Sequence, residues 1–325
     1  TGKIARWMTN KLPRWWPIPT SNWDRVGHSL FHPFKGVESI MKIYLILNTE
    51  KNQAVFHLHQ VVDKLNQLGA VCYLDPTLQE TVGNIQAQFL PAKNVLNEVD
   101  LLVTIGGDGT IIHGAKYAIY YQLPILGINI GRVGFLAQVD IDDLTPLERL
   151  IRGEYTLENR MLLKGVLHRA NGSEIHFTGL NDIVFSRVEK EHMVDIDVEC
   201  GGRSVGSYRA DGLIFSTPTG STAYSLSAGG PVVDPAFDAI ILTPICPQSL
   251  FSRSVVFAAD KKLSIHTRFI NYSDEAEIRA DGCKVATFTS QDWVEIARSE
   301  KPATFVSFND RNFYEVLMDK IAFRR

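Results

Sequence analysis

Residues 41–130 alternate short apolar runs with segments in which apolar residues recur every three or four positions. The first run, residues 43–47, precedes apolar residues at 54, 55, 58, 61, 62, 65 and 68, which is the spacing of an amphipathic helix. Further apolar runs lie at 71–74, 99–105 and 124–128, and a second helix is predicted at 110–121. Strands that are apolar throughout are buried on both faces, so the alternation predicts a parallel sheet with helices on both sides.

Beyond about residue 160 the pattern becomes one of short strands. Apolar and acidic side chains alternate through residues 194–200, as in a strand with one face in water. Asn171-Gly172 lies between two predicted strands and favours a hairpin turn. Other short strands are predicted at 213–216, 254–258, 262–268, 276–279 and 293–297. This half of the chain is therefore predicted to be mainly β.

The end of the chain returns to helical spacing. Phe313, Val316, Leu317 and Ile321 fall on one face, and we expect this helix to pack back on the first domain. The predicted fold class is an N-terminal α/β, Rossmann-like domain with a parallel sheet, followed by a C-terminal mainly-β domain. We assign residues 41–145 together with 306–325 to the first domain and residues 146–305 to the second.

Residues 1–40 differ in composition from the rest of the chain. They hold four of the five tryptophans, four prolines, and six basic residues against two acidic ones. We expect an extension that is disordered or not native to the domains. The alternative is a tryptophan-rich arm that docks on a partner or on a membrane surface.

The overall composition argues against several classes of function. Hydrophobic residues make up 45% and charged residues 21%, which is typical of a globular protein. The net charge of -3 gives no electrostatic reason to expect nucleic acid or a membrane as a partner. No apolar run approaches the roughly 20 residues that span a bilayer. The four cysteines form no CxxC pair, so we expect neither a zinc site nor a disulfide framework. We expect the protein to be cytoplasmic, where thiols stay reduced.

The apolar run at 99–105 ends in Gly106-Gly107-Asp108-Gly109. Open α/β sheets bind ligands at the carboxyl ends of their strands, and glycines let a phosphate or a ribose approach the backbone. The helix that follows directs N–H groups and its positive dipole end to the same place. A carboxylate repels phosphate, so Asp108 is explained if it accepts a proton from a hydroxyl or holds a divalent metal. A tight turn without function fits the spacing equally well.

Residues 209–231 form a second candidate site. Hydroxyl groups crowd this segment: Ser216, Thr217, Thr219, Ser221, Thr222, Tyr224, Ser225 and Ser227. Neutral donors suit ribose and phosphate, and the ring of Tyr224 offers a surface on which a base can stack. Arg209 and Asp211 add one cation and one carboxylate. The alternative is a strand-to-helix connection whose hydroxyls cap the helix.

Two further signals are weaker on their own. Asn181-Asp182 precedes an apolar strand, and a simple turn is the better explanation for it. His113 lies five residues after Asp108, about one and a half helical turns along. It is close enough to donate to an anion in the same site, although a surface position explains it equally well.

These stretches, taken together and in this order, resemble the NAD kinase family. The resemblance is carried by Gly106-Gly107-Asp108-Gly109, Gly127-Ile128-Asn129, Gly134-Phe135-Leu136, Asn181-Asp182, Asp211-Gly212 and the segment 216–231. Gly-Gly-Asp-Gly alone is shared with lipid kinases and phosphofructokinases. The run Thr217-Pro218-Thr219-Gly220-Ser221-Thr222-Ala223-Tyr224-Ser225 is far more specific. The resemblance extends from Met41 to the C-terminus.

The resemblance implies a kinase that moves a phosphoryl group from ATP, or from polyphosphate, to the 2′-hydroxyl of the adenosine ribose of NAD, giving NADP. It also implies a divalent cation, Mg²⁺, on the donor phosphates, and a homodimer or homotetramer. Asp108 is implied as the proton acceptor. The implied NAD-binding residues are Asp108, Gly109, His113, Asn181, Asp182, His192, Arg209, Asp211, Thr222, Ala223, Tyr224, Ser225, Leu226 and Ser227.

One motif departs from the family, and two other functions stay open. Family members usually carry Asp-Gly-Gln where this chain has Asp281-Gly282-Cys283, so the Gln amide that contacts the ligand is missing. Backbone or water replaces this contact, or the contact is dispensable. The first alternative function is a lipid kinase of the same superfamily, although residues 41–325 show no amphipathic basic helix. The second is a sensor that binds NAD without turnover, which would not need Asp108.

Overall fold

The computed structural model describes residues 40–50, 53–131, 134–188, 192–250, 252–268, 275–310 and 312–322. The predictions made for residues 1–40 concern residues that, except for Ile40, lie outside this part. The chain divides into two compact units. The described part of the first unit comprises residues 40–162, Asp234–Ala236 and 300–322. The second unit comprises Leu163–Val233 and Phe237–Ser299.

The strands in chain order are β1 (Lys42–Leu47), β2 (Val71–Leu74), β3 (Gln88–Phe89), β4 (Leu101–Gly106), β5 (Ile125–Asn129), β6 (Val139–Asp140), β7 (Thr156–Arg160), β8 (Leu163–His168), β9 (Glu174–Gly179), β10 (Asp182–Arg187), β11 (Val194–Cys200), β12 (Arg203–Ala210), β13 (Gly212–Ser216), β14 (Ala239–Ile245), β15 (Val255–Ala258), β16 (Leu263–Arg268), β17 (Ala276–Ala280), β18 (Cys283–Phe288), β19 (Trp293–Arg298) and β20 (Ala303–Ser307). The α-helices are α1 (Ala54–Gln67), α2 (Gln79–Val82), α3 (Ala92–Val95), α4 (Asp108–Tyr121), α5 (Pro146–Ile151), α6 (Tyr224–Ser227) and α7 (Phe313–Ala322), and 3₁₀ turns lie at Pro76–Leu78 and Thr219–Thr222.

The first unit is built on one sheet with the order β3-β2-β1-β4-β5-β20-β7, and β6 pairs with β5. The pairings from β3 through β20 are parallel, which confirms the predicted parallel sheet. β7 adds an antiparallel strand at the edge. Ile105 of β4 lies beside Leu47 of β1 and Ile128 of β5, so these strands end at the same edge of the sheet.

Helix α4 begins at Asp108, two residues before the predicted start at Thr110. Gly107 precedes it with an extended backbone, φ -108° and ψ -173°. A carboxylate in the first turn is favoured by the positive end of the helix dipole, which explains why the helix begins at Asp108 rather than at Thr110. Asp108 is therefore the first residue of the helix, directly after the glycine pair.

The second unit consists, in its described residues, of two six-stranded sheets with the orders β15-β14-β13-β10-β17-β18 and β12-β11-β16-β19-β8-β9. Their strand pairs are antiparallel, which confirms the mainly-β prediction. Gly201-Gly202 forms the turn between β11 and β12, with φ values of 58° and 74°. The turn at Asn171-Gly172 also exists, with Gly172 at φ 82°, a left-handed conformation that glycine adopts without strain.

The C-terminal helix α7 belongs to the first unit, as expected. Its Phe313 ring lies 6.0 Å from the Phe135 ring, centroid to centroid. Among the described residues, no helix has the length and apolar character needed to cross a membrane.

Candidate functional site

Asp108 stands at the carboxyl end of β4, and two backbone groups hold its carboxylate. The Phe135 N–H donates to Oδ2 at 3.0 Å, and the Leu136 N–H donates to Oδ1 at 3.2 Å. Each carboxylate oxygen has two lone-pair directions, so each retains one for another partner. The side chain keeps 29% of its exposure, so the carboxylate is both fixed in place and reachable from solvent.

Two nearby glycines are explained by the space that Asp108 and its helix need. A Cβ on Gly134 would lie 1.9 Å from Asp108 Oδ1, and a Cβ on Gly106 would lie 2.1 Å from Thr110 Oγ1. We interpreted Gly106 as room for a ligand, but the space beside it is filled by Thr110. Gly109 does leave room for a ligand, because a Cβ there would meet nothing within 4 Å.

Lys320 of α7 is a charged neighbour of Asp108 that the sequence pattern did not single out. Its Nζ lies 3.6 Å from Asp108 Oδ2 and 4.4 Å from the centroid of the Phe135 ring. More than 200 residues separate the two side chains in the chain. No motif connects them, and only the return of α7 to the first unit places them together.

His113 projects from α4 and is half-buried. Burial, with a smaller contribution from Lys116, lowers the pKa of His113 to about 4. The imidazole is therefore uncharged at neutral pH. Its ring meets Tyr117 edge-on at 5.7 Å. Our hypothesis that His113 donates to an anion survives only in a weaker form, because a neutral ring offers one N–H and no charge.

In the second unit, Asp281 clamps the segment that contains Asn181-Asp182. Its carboxylate accepts N–H bonds from Leu180 at 2.9 Å, Asn181 at 2.7 Å and Asp182 at 3.3 Å. In return the Asp281 N–H donates to the Asp182 carbonyl at 3.0 Å. We predicted Asn181-Asp182 but not Asp281. The Asp281-Gly282 turn, with φ values of 47° and 75°, is the signal that could have drawn attention to it.

A second set of hydrogen bonds joins residues 180–182 to the start of the loop formed by residues 216–225. Thr217 Oγ1 donates to the Leu180 carbonyl at 2.6 Å, and the Thr217 N–H donates to the Asn181 carbonyl at 2.9 Å. Gly220 packs so closely that a Cβ would lie 1.9 Å from the Asn181 carbonyl oxygen. The loop therefore requires glycine at position 220 in order to reach residues 180–182.

Several polar side-chain atoms are buried where residues 180–182 meet this loop. Asp182 is 6% exposed, and burial, with a smaller contribution from Asp281, raises its pKa to about 7. Asn181 Oδ1 and Ser216 Oγ are buried and lack a hydrogen-bond partner among the described residues. Buried polar atoms of this kind are normally paired, so the cluster is suited to a ligand that supplies donors.

Most hydroxyls of residues 216–225 bond within the protein. Ser221 Oγ donates to the Pro218 carbonyl at 2.7 Å, and Ser225 Oγ lies 2.9 Å from Thr243 Oγ1. Thr222 Oγ1 donates to the Thr219 carbonyl at 3.3 Å. We interpreted this density of hydroxyls as a set of ligand donors, but these three stabilise the loop itself.

Tyr224 and Ser227 remain available on the surface of the loop. Tyr224 is 47% exposed, and Ser227 is exposed as well. Partial burial raises the pKa of Tyr224, and Cys246, Asp182 and Asp211 raise it further. Tyr224 therefore offers an exposed ring in the same unit as the Asn181-Asp182 segment.

The remaining candidates lie around this loop with different partners. Asp211 pairs with Arg187, Nη2 to Oδ2 at 3.2 Å, rather than with Arg209. Arg209 is exposed and reaches Asp195 at 3.9 Å. His192 is exposed. Ala223 and Leu226 are half-buried within the loop. The cation near Asp211 is thus Arg187, which we had not named.

Cys283 is half-buried and begins β18, directly after the Asp281-Gly282 turn. The turn and the three N–H bonds of the clamp are made by residues 281 and 282. Within the described residues, no group of three or more His, Cys, Asp or Glu side chains is arranged to hold a metal ion.

Known proteins match this chain through both units. Residues 43–155 match the family model for the ATP-NAD kinase N-terminal domain, and residues 180–308 match that for the C-terminal domain. A curated NAD kinase of Symbiobacterium thermophilum is 38% identical over 282 residues, which cover 86% of this chain and 99% of the relative.

Two solved structures have the same fold. Yeast NADH kinase complexed with NADH superposes with a TM-score of 0.80 at 24% identity, covering 88% of this chain and 89% of its own. An NAD kinase from Archaeoglobus fulgidus in complex with ATP gives a TM-score of 0.65 at 24% identity, covering 87% and 99%.

Proposed function

Because the chain belongs to the NAD kinase family, we propose that it phosphorylates NAD on the 2′-hydroxyl of the adenosine ribose, with ATP as donor and NADP as product. The observation that carries the proposal is the fixed carboxylate of Asp108. Two N–H donors orient it at the carboxyl end of β4, where α/β sheets bind ligands. Its free lone pairs are suited to accept one proton.

The proposed reaction follows the general logic of phosphoryl transfer. The ribose oxygen attacks the terminal phosphorus of ATP, and the bond from that phosphorus to the bridging oxygen breaks and leaves ADP. The proton of the 2′-hydroxyl passes to Asp108. Positioning and charge neutralisation supply most of the acceleration in such reactions, and removal of the proton makes the hydroxyl a competent nucleophile.

We assign NAD binding to the residues that the resemblance implied, with adjusted roles. Asn181 and Asp182 present buried polar atoms to the ligand, and Tyr224 offers an exposed ring for a base. Gly109 leaves open space, and His113 acts as a neutral donor. Of residues 222–227, Tyr224 and Ser227 are exposed on the loop and the other four support them, while His192, Arg209 and Asp211 are the outer contacts.

The remaining parts of the proposal concern the metal, the assembly and the location. We assign no residue of the chain as a metal ligand, and no step is routed through a metal. We expect Mg²⁺ to arrive on the phosphates of ATP, where it would neutralise charge. We also propose a homodimer or homotetramer in the cytoplasm, where ATP and NAD are available and the four cysteines stay as free thiols.

One assay tests the function. Purified protein is mixed with NAD, ATP and Mg²⁺, and NADP is followed with an NADP-specific dehydrogenase. We expect NADP to form, and to stop forming when EDTA removes the cation. Polyphosphate replaces ATP in a second series, which identifies the donor. If NAD binds and no NADP appears with either donor, the chain is a sensor and the proposal is wrong.

A further inference from the structure

The C-terminal helix α7 places a cation beside Asp108. Lys320 Nζ lies 3.6 Å from Oδ2, the oxygen that also accepts the Phe135 N–H. Phe135 thus binds both members of the pair, because its ring faces the Lys320 ammonium at 4.4 Å. This geometry is that of a cation–π contact, in which the face of the ring attracts a positive charge.

The start of α7 is anchored in a way that fixes where Lys320 stands. The Phe313 ring packs on Phe135 at 6.0 Å, and Tyr314 OH donates to Asp234 Oδ2 at 2.6 Å. Phe313 and Lys320 are seven residues apart, close to two full turns of helix, so they share one face. The position of the ammonium is therefore determined by the whole helix and by Phe135.

Folding does not explain this ion pair well. The side chains of Lys320 and Asp108 keep 35% and 29% of their exposure, and pairs that are open to water contribute little to stability because solvent and salt screen them. A lysine on an exposed helix also loses side-chain freedom when it is held over a ring. We therefore look for the role of the Lys320–Asp108 pair in the chemistry at Asp108.

Phosphoryl transfer poses an electrostatic problem at a carboxylate. The donor carries several negative charges, and Asp108 repels them at the point where the phosphoryl group must approach. A cation next to the carboxylate offsets this repulsion and stabilises the charge that spreads over the phosphoryl oxygens in the transition state. The lysine ammonium is a compact charge that binds phosphate well.

We propose that Lys320 is a further residue of the phosphoryl-transfer site, where its ammonium compensates the charge of Asp108 and binds a terminal phosphate oxygen of the donor. The inference rests on the proposed kinase function. Lys320 still has N–H groups to offer besides its contact with Asp108, since an ammonium carries three donors. It forms no covalent bond, and the proton of the acceptor hydroxyl still goes to Asp108.

The test compares two substitutions of one side chain. Lys320→Met keeps an unbranched stem over the Phe135 ring and removes the charge, whereas Lys320→Arg keeps the charge. Asp319→Asn is the matched control, because Asp319 is the exposed neighbour on the same helix. Initial rates of NADP formation are measured against ATP and NAD separately. Binding of a non-hydrolysable ATP analogue is measured by equilibrium titration, and the melting temperature is recorded.

For Lys320→Met we expect kcat to fall about tenfold and KM for ATP to rise several-fold, while KM for NAD stays within about twofold. The analogue should bind about tenfold more weakly. Lys320→Arg should recover at least half of the loss on a logarithmic scale, and Asp319→Asn should behave like the wild type.

Several results would overturn the inference. A faster Lys320→Met enzyme would mean that the lysine restrains Asp108. An unchanged KM for ATP, or an equal change for NAD, would place Lys320 away from the donor. A loss that Lys320→Arg does not recover, together with a lower melting temperature, would assign Lys320 a structural role. If the wild type makes no NADP, the proposed function fails, but the analogue titration still decides whether Lys320 binds the donor.

Discussion

Asp108 in the first unit and Asp182 in the second unit lie in contrasting environments. In the first unit, Asp108 accepts two backbone N–H bonds, stands near a lysine and stays partly open to solvent. In the second, Asp182 is 6% exposed, and its close charged neighbour Asp281 is another carboxylate. Burial and a neighbouring like charge favour the protonated form of an acid, so they raise the pKa of Asp182.

The contrast teaches which residue is suited to which task. A reactive base must be held in place and must be reachable, which describes Asp108, because its carboxylate accepts two backbone N–H bonds and stays partly exposed. A residue that recognises hydroxyl groups benefits from a dry, rigid setting, which describes the Asn181-Asp182 segment under the Asp281 clamp. Changing each carboxyl group in turn therefore tests the division of roles.

The largest effect is expected from Asp108→Asn. An amide cannot accept the ribose proton, so kcat should fall by about 100-fold or more. The melting temperature should change little, because the side chain is partly exposed and keeps one oxygen for a backbone N–H. Initial rates of NADP formation give kcat. Asp142→Asn, an exposed carboxylate elsewhere in the first unit, is the control, and a near-normal rate for Asp108→Asn would refute its role as base.

Removing the clamp should act mainly on stability and NAD binding. Asp281→Ala leaves three N–H groups without their charged acceptor, and we expect the free energy of unfolding to fall by about 3 kcal/mol. The KM for NAD should rise as residues 180–182 loosen. Denaturant titration measures the first effect and initial rates the second.

Asp281→Asn is the matched control for the clamp. Asparagine tolerates the left-handed backbone of the turn and keeps one acceptor oxygen, so its loss should be about 1 kcal/mol. If both variants were as stable as the wild type, the three bonds would have no structural importance, and the segment would have to be held by Thr217 and Gly220 alone.

The pH dependence of stability should reveal the enclosed setting of Asp182. Its pKa is raised from the ordinary 3.8 to about 7 in the folded state, so the folded protein binds more protons than the unfolded chain between these values. Stability from this group is fully present below about pH 4 and is lost as the pH rises through 7. The difference in the free energy of unfolding between wild type and Asp182→Asn should change by up to about 4 kcal/mol over this window, since each pKa unit corresponds to about 1.4 kcal/mol.

The measurement is a series of melting curves from pH 4 to 8. Asp260→Asn serves as the control, because Asp260 is largely exposed and should show no such divergence. Parallel curves for wild type and Asp182→Asn would mean that Asp182 is already ionised at pH 5, and the contrast with Asp108 would then disappear.

The sequence predicted the fold class and the main strands because both follow from local periodicity. The all-apolar strands around β4 and the alternation in β11 could be recognised without any long-range information. β20 was not predicted, since its place beside β5 depends on a chain return across the whole second unit. The start of α4 was two residues late because the cap and the carboxylate, rather than periodicity, determine it.

The residues of the candidate site also divide into those that a local motif reveals and those that only a long-range contact reveals. Asp108, Asn181, Asp182, Asp211 and Tyr224 belong to short motifs and could be proposed from the sequence. Lys320, Asp281 and Arg187 contact Asp108, the Asn181-Asp182 segment and Asp211 from distant parts of the chain, and no spacing rule connects such pairs. The internal bonds of the 216–225 loop could not be predicted, because composition does not distinguish a ligand donor from a hydroxyl that bonds to the protein itself.

The smallest effect is expected from Cys283→Gln, which restores the residue that the family usually has. Residues 281 and 282 make the turn and the clamp, and residue 283 is the first residue of β18, directly after them. We therefore expect KM for NAD to change by less than about threefold, the size of a single weak hydrogen bond. Steady-state kinetics with Cys283→Ala as the matched variant measure it. A tenfold gain with glutamine alone would show that position 283 contributes to ligand binding as strongly as the clamp.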